Sequence, residues 1–332
     1  MLRLASYLEN TVFGLDIGYE TLKLVQVDKG LKGASLVGCA NITLTERILE
    51  RDRFKNKSEA AALIKEACRQ AKPSPITARK IVSALPETFA FSKTIQLPKM
   101  PLHDYDKAIP LAAAEYLPIP LEDTYLDYQI LSVYPENDLV DILVVGAPKK
   151  LVEDYVEVAN LAGFELAALE TKPLAIGRAL LSDKEKDGIA IIEIGTEFSR
   201  ISIWDDNSIR LTTTVGTGKN QLFEALGIAY GNKKDNPAIT NQNQADIALP
   251  LDNIVGETIN SIKYHQNRDF KAKEIKRILL CGSGAKIGGI DRYIEREIKI
   301  PTKIAGPKLI GRNQLETEFT TSFGLSLRGE WE

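Results

Sequence analysis

A segment of this sequence occurs twice. Leu15–Asp28 lines up without gaps on Ile192–Asp205, an offset of 177 residues that carries Leu15 onto Ile192. Asp16 then meets Glu193, Gly18 meets Gly195, Glu20 meets Glu197, Lys23 meets Arg200 and Asp28 meets Asp205. The period is far too long for a solenoid, whose units run to roughly 20–50 residues. Each copy reads as an apolar strand ending in acid-x-Gly, then a second strand of alternating apolar residues (Leu22 and Leu24; Ile201 and Ile203) and a polar turn. The duplication therefore predicts two related α/β domains, each opened by a β-hairpin, and 332 residues suffice for both.

Beyond each hairpin the two halves continue in parallel, with further strand and then helix. A helix is predicted over Lys57–Ala71, ended by Pro73 and Pro75, and strand character resumes at Lys80–Leu85. Between the copies lies a block with a strand at Ala90–Leu97, a helix at Asp104–Tyr116, strands near Tyr125–Val133 and Leu139–Val145, and a helix at Pro148–Leu161 closed by Gly163. That order fits a small α+β insert. Past the second hairpin, Gly231–Gln244 reads as a polar loop and Leu251–Asn267 as helix. Lys276–Leu280 then reads as a buried strand running into the glycine-rich Gly282–Gly289, with a helix at Ile290–Ile298. The expected division is 1–79 and 166–183 for the first half, 80–165 for the insert, 184–218 and 276–332 for the second half, and 219–275 for a smaller helical subdomain.

Two acid-x-Gly turns and one strand, glycine loop and helix start make a coherent nucleotide site. Each turn lets main-chain amides approach phosphate oxygens, while Asp16 and Glu193 offer carboxylate oxygens to Mg²⁺ or its waters. The loop Gly282–Ala285 is expected on the base and ribose side.

At these residues the chain resembles the actin-like ATPase superfamily, and within it the PilM family of type IV pilus assembly proteins, which is related to FtsA. The most specific stretch is Ala114–Leu131, with its Glu115, Pro118-Ile-Pro120 turn and acidic strand lead-in; Gly218–Leu222, Ile262–His265 and Gly324–Arg328 also match. The resemblance implies a duplicated, ribonuclease H-like actin fold with a small inserted subdomain. It assigns Asp16, Gly18, Tyr19, Glu20, Thr21 and Lys23 to the first phosphate hairpin, and Glu193, Gly195, Thr196 and Glu197 to the second. Gly218 and Lys219 fall on a ribose-contacting turn, and Gly282, Ser283, Gly284, Lys286 and Ile287 on the adenosine loop. ATP or ADP with Mg²⁺ is the implied cofactor. Departures are Tyr19 where a small residue is usual, Glu193 for aspartate, Ser283 for glycine, and Lys172 where related ATPases place a water-positioning Glu or Gln. An ammonium has three donors and no acceptor, so it cannot take a proton from water but suits a phosphate. Glu170 is the fallback catalytic candidate.

The function so implied is a nucleotide-binding scaffold at the cytoplasmic face of the inner membrane, with little or no turnover. Its expected partners are the N-terminal cytoplasmic peptide of a PilN-like protein, docking near the insert, and other proteins of the pilus inner-membrane platform. Membrane association would be indirect, and self-association is compatible with the fold. The alternatives are an active ATPase or small-molecule kinase, and an FtsA-like division protein; the sequence ends at Arg328–Glu332 without the amphipathic tail expected of the latter.

Composition narrows the field. With 42 Lys and Arg against 45 Asp and Glu, the net charge of −3 speaks against a generic nucleic-acid binder. Three cysteines without CxxC spacing and two histidines leave no thiolate zinc site or multi-histidine centre. Met1–Leu8 lacks a signal-peptide pattern, and Leu2, Leu4 and Leu8 are expected to pack on the core. The run 271–277 is expected to be a solvated connection, and Cys281 a buried apolar residue.

Overall fold

A computed structural model describes residues 11–50, 53–86, 90–182, 184–228, 237–268, 272–311 and 314–328. Met1–Leu8, residues 231–236 and the chain end beyond 328 lie outside the described residues, and with them the packing expected of Leu2, Leu4 and Leu8.

The first hairpin is β1 (Val12–Ile17) and β2 (Thr21–Gly30), extended by β3 (Gly33–Thr43). All six residues of β1 are buried, as a strand covered on both faces requires. A short ribbon, β4 (Leu49–Glu50) with β5 (Arg53–Phe54), leads into helix α1 (Lys57–Gln70), whose N-cap Asn56 accepts from the Glu59 N–H. β6 (Lys72–Pro73) and β7 (Lys80–Leu85) come next. The insert sheet comprises β8 (Phe91–Pro98), β9 (Thr124–Tyr134) and β10 (Leu139–Pro148), with α2 (Leu102–Ala114) packed on it through Tyr105, Ile109 and Ala113. Then come α3 (Lys149–Leu161), β11 (Glu165–Thr171) and α4 (Lys172–Leu180).

The second half starts at β12 (Gly188–Ile194) and β13 (Ser199–Asp205), followed by β14 (Ser208–Val215), α5 (Lys219–Ala225) and α6 (Gln244–Arg268). It ends in β15 (Ile275–Cys281), α7 (Ile290–Ile298), β16 (Thr302–Ile304) and α8 (Thr320–Ser326). The first sheet runs β11-β7-β1-β2-β3-β6 and the second β14-β13-β12-β15-β16. Reading the second backwards, both sheets place an antiparallel hairpin beside a parallel partner, β1 on β7 and β12 on β15. The duplication extends to register: Asp16 faces Lys23 across the first hairpin, and Glu193 faces Arg200 across the second. The fold is the duplicated actin-like α/β architecture.

The two halves close over a shared core that includes Val25, Ile176, Ile191, Trp204, Phe319 and Phe323. Through it pass α4 and α8, crossing closely enough that a Cβ on Gly324 would stand 1.8 Å from the Ala175 carbonyl oxygen. Only glycine permits that approach.

Three boundaries differ from the sequence division. That division puts β7 in the insert, but the strand pairs with β1 and β11 in the first sheet. α3 likewise packs Leu151, Tyr155, Val158 and Ala159 into the first core, with α1. α8, assigned to the second half, lies against β1, β2 and β7. A buried parallel strand is apolar whichever sheet receives it, so sequence alone does not choose its neighbours. α6 begins seven residues before the expected Leu251 and carries Pro250 inside it.

Candidate functional site

The turns of both hairpins open into one crevice of about 700 Å³, open mouth included. Each is closed by the same bond, from the Gly18 N–H to the Thr21 carbonyl (2.8 Å) and from the Gly195 N–H to the Phe198 carbonyl (3.0 Å). Asp16, Gly18, Tyr19, Thr21 and Lys23 line it from the first half, and Glu193, Gly195, Thr196, Glu197 and Arg200 from the second. Gly282 and Ser283 complete the wall at the end of β15. Gly282 holds φ at +90°, and a Cβ there would lie 2.5 Å from the Ile194 carbonyl oxygen, so the chain leaves the sheet only through glycine.

The crevice floor is built of ion pairs. Lys172, the first residue of α4, places Nζ 2.8 Å from Asp16 Oδ1; the side chains are 11% and 7% exposed. Arg200 Nη1 donates to Glu193 Oε2 at 3.0 Å. Lys23 Nζ donates to Thr21 Oγ1 at 2.7 Å. Burial opposes ionisation of Asp16, but Lys172, Lys23 and Arg200 together outweigh it and hold the carboxyl below the usual carboxylate value. For Lys23 the balance goes the other way: burial prevails over Asp16 and Glu318 and draws the ammonium below the usual lysine value. Three chain-borne cations thus line one cleft with backbone turns, a donor set suited to an anion with several oxygens.

Contacts between the halves cross the mouth. Arg47 pairs with Glu197 and sits 5.5 Å from the Tyr19 ring centroid, while Tyr19 and Phe198 face each other at 6.2 Å. Glu20, expected on the phosphate turn, accepts instead from Asn220 Nδ2 at 2.8 Å.

The remaining expected contacts are distributed differently. Gly218 packs on the second turn, and the Lys219 and Asn220 N–H groups donate to the Gly195 and Thr196 carbonyls (2.8 and 3.0 Å). The start of α5 therefore buttresses the turn, and the Lys219 ammonium lies over the Phe223 ring. Gly284 is buried against Ile194, Ile287 enters the second core, and Lys286 pairs with Glu316 and Glu318. None of Glu20, Gly218, Lys219, Gly284, Lys286 and Ile287 is among the residues lining the crevice. Glu170 is bound by Arg178, at 2.6 and 2.9 Å, and by Arg328 at 3.1 Å, so the fallback catalytic carboxylate is a structural one. Cys281 is fully buried, and burial pushes its thiol far up, as expected of a packing residue. His265 is buried beside Asp205 (3.5 Å) and His103 is exposed.

Sequence reasoning missed Arg47, Phe198, Arg200 and Glu318 among the residues that shape the site. Arg200 was within reach, since the repeat aligns it with Lys23. Arg47 carries no motif, and only the closure of the two halves brings it to Glu197.

A family model described as Type IV pilus assembly protein PilM matches residues 14–322. Among solved structures the chain is similar to one from a PilM-PilN type IV pilus biogenesis complex, with TM-score 0.81 and 20% identity over 98% of this chain and 100% of that one. It is also similar to MreB 5 of Spiroplasma citri bound to AMPPNP, with TM-score 0.53 and 13% identity over 95% and 94% of the two chains. At such identities the likeness shows the fold alone. The cell division protein FtsA of Bacillus subtilis (strain 168) is 22% identical over 213 residues, 55% of this chain and 48% of FtsA, so the chain spans about half the length of that curated relative. No helix among the described residues is long and apolar enough to cross a membrane. With the family model running from the first hairpin through the insert and the second hairpin to the start of the last helix, the chain belongs to the PilM family of type IV pilus assembly proteins.

Proposed function

We propose that this protein is an actin-like scaffold that binds ATP or ADP between its halves and, so ordered, recruits the N-terminal cytoplasmic peptide of a PilN-like protein to the inner-membrane pilus platform. The observation that carries the nucleotide half of the reading is the meeting of both duplicated turns with Lys23, Lys172 and Arg200 in one crevice. Their chemistry fits phosphate oxygens: cationic donors beside tight backbone turns. A nucleotide touching both halves would hold them together, since any ligand that prefers the closed form stabilises it by its binding free energy. That a structural relative was crystallised with AMPPNP is consistent with this.

The position where related ATPases place the water-positioning residue does not favour efficient hydrolysis. General-base chemistry needs a carboxylate or imidazole within hydrogen-bond reach of the attacking water. The start of α4 offers Lys172, and Glu170 is held by two arginines. The same facts weigh against the kinase alternative.

For the partner we assign the apolar groove between the insert and the first half, lined by Leu85, Tyr125, Leu126, Val145, Val156 and Leu166. Tyr125 and Val156 are half-exposed there, which suits the apolar side of a short peptide. The relative's complex with PilN motivates the choice of occupant.

Two titrations test the reading. ATP or ADP should raise Tm, by an amount equivalent to about 2.7 kcal/mol when ligand reaches about a hundred times Kd. A labelled PilN-like peptide should bind saturably and lose affinity in Val156→Lys. No shift in Tm at millimolar nucleotide would refute the nucleotide half, and no saturable peptide binding the partner half.

A further inference from the structure

We propose that the Lys172 ammonium takes the place of a divalent cation at Asp16, so that this crevice binds the phosphates of its nucleotide without magnesium. The inference rests on the nucleotide reading above and identifies where the compensating positive charge comes from.

A polyphosphate entering a cleft that contains carboxylates needs cations beside it. Magnesium supplies them only where it finds oxygen ligands in near-octahedral geometry, commonly one or two carboxylates plus phosphate oxygens. Asp16 and Glu193 are the carboxylates that the duplicated turns offer for that role. Both are already engaged by cations of the chain, Asp16 by Lys172 at 2.8 Å and Glu193 by Arg200 at 3.0 Å. Among the described residues, no group of three or more Asp, Glu, His or Cys side chains stands together as a metal site.

The position of Lys172 is set by the backbone. β11 runs parallel to β7, with Thr171 opposite Leu85, and β7 runs parallel to β1, so the residue after Thr171 is delivered beside the end of β1. Pro173 in the first turn of α4 restrains the backbone further. The side chain is almost completely buried and still lines the crevice. It meets Asp16 as an ion pair without hydrogen-bond geometry, Asp16 Oδ1 being a buried oxygen with no hydrogen-bond partner, and an ammonium has three N–H donors to offer phosphate oxygens. A metal bound directly to Asp16 would have to displace an ammonium that has little solvent to move into. Lys172 thus does two things that one residue of a metal-dependent site would not: it removes the acceptor that positions water, and it brings a tethered positive charge.

The experiment uses the full chain freed of nucleotide and a fluorescent ATP analogue, titrated in excess EDTA and again in excess magnesium. The wild-type affinities should agree within about threefold, a difference of about 0.6 kcal/mol. Lys172→Gln should bind at least about tenfold more weakly in EDTA and recover when magnesium is added, now that Asp16 is bare. Wild-type binding that appears only with magnesium would overturn this inference and leave the nucleotide reading standing. Absence of binding in both arms would overturn the two together. Equal binding of wild type and Lys172→Gln in EDTA would also overturn it. The wild-type comparison decides the matter even if the variant fails to fold.

Discussion

Replacing Asp16 by asparagine removes one charge from the most buried ion pair of the crevice and keeps the side-chain shape. Lys172 stays 2.8 Å from where the carboxylate was, at 11% exposure, and Lys23 loses its cross-strand partner. Removing one member of a buried pair costs about 3–5 kcal/mol, because the remaining charge keeps no counter-charge and little water. An unfolding entropy of about 2.1 cal/mol/K per residue gives about 0.7 kcal/mol/K for a chain of this length, so Tm should fall by about 4–7 °C. The pH dependence follows from the direction of the Asp16 shift. Its folded pKa lies below the ordinary value of 3.8, so its contribution is complete above that value and fades as pH falls through the lower folded value. Calorimetry of both proteins from neutral pH downward should show the full gap at neutrality, narrowing only in strong acid. Lys172→Met in the asparagine background should recover part of the loss, since an apolar side chain needs no counter-charge. If Asp16→Asn melts with wild type at neutral pH, or if Lys172→Met adds to the damage, the ion pair does not organise the site as described.

Three other outcomes are expected. Glu170→Gln, which strips Arg178 and Arg328 of their shared carboxylate, should cost about 3–5 kcal/mol in urea melts while leaving nucleotide affinity unchanged, because the cluster does not line the crevice. Gly324→Ala drives a methyl into the Ala175 carbonyl and should destabilise by at least about 1–3 kcal/mol in the same assay. Native thiol titration should modify Cys39 first, because it is only half-buried, whereas burial holds Cys68 at about 12 and Cys281 higher than its ordinary value, leaving both slow until the protein is unfolded.

The hairpins were legible because the repeat preserves more than composition. Acid, glycine and cation recur at fixed spacing, and that spacing sets the same cross-strand register in both halves. The two related α/β halves and the meeting of both turns in one crevice follow from it. The division into subdomains was less legible. The strand Lys80–Leu85 is apolar enough to be buried in any sheet, and only its parallel pairing with Val12–Leu15 of β1 reveals which one. The contacts expected for a sugar and base were legible least. Gly218 and Gly284 serve close packing rather than ligand approach, a distinction that depends on which backbone lies opposite and that no local pattern carries. Lys172 stood out in the sequence as an anomaly, but its partner Asp16 becomes apparent only through the parallel order β11, β7, β1.

The most direct test of the central claim is hydrogen exchange of the backbone amides, measured with and without saturating ATP. If both turns hold one ligand, residues 17–22 and 194–199 should slow together, with the same dependence on nucleotide concentration. Protection confined to one turn, or unchanged exchange at both while ATP is bound elsewhere, would contradict it.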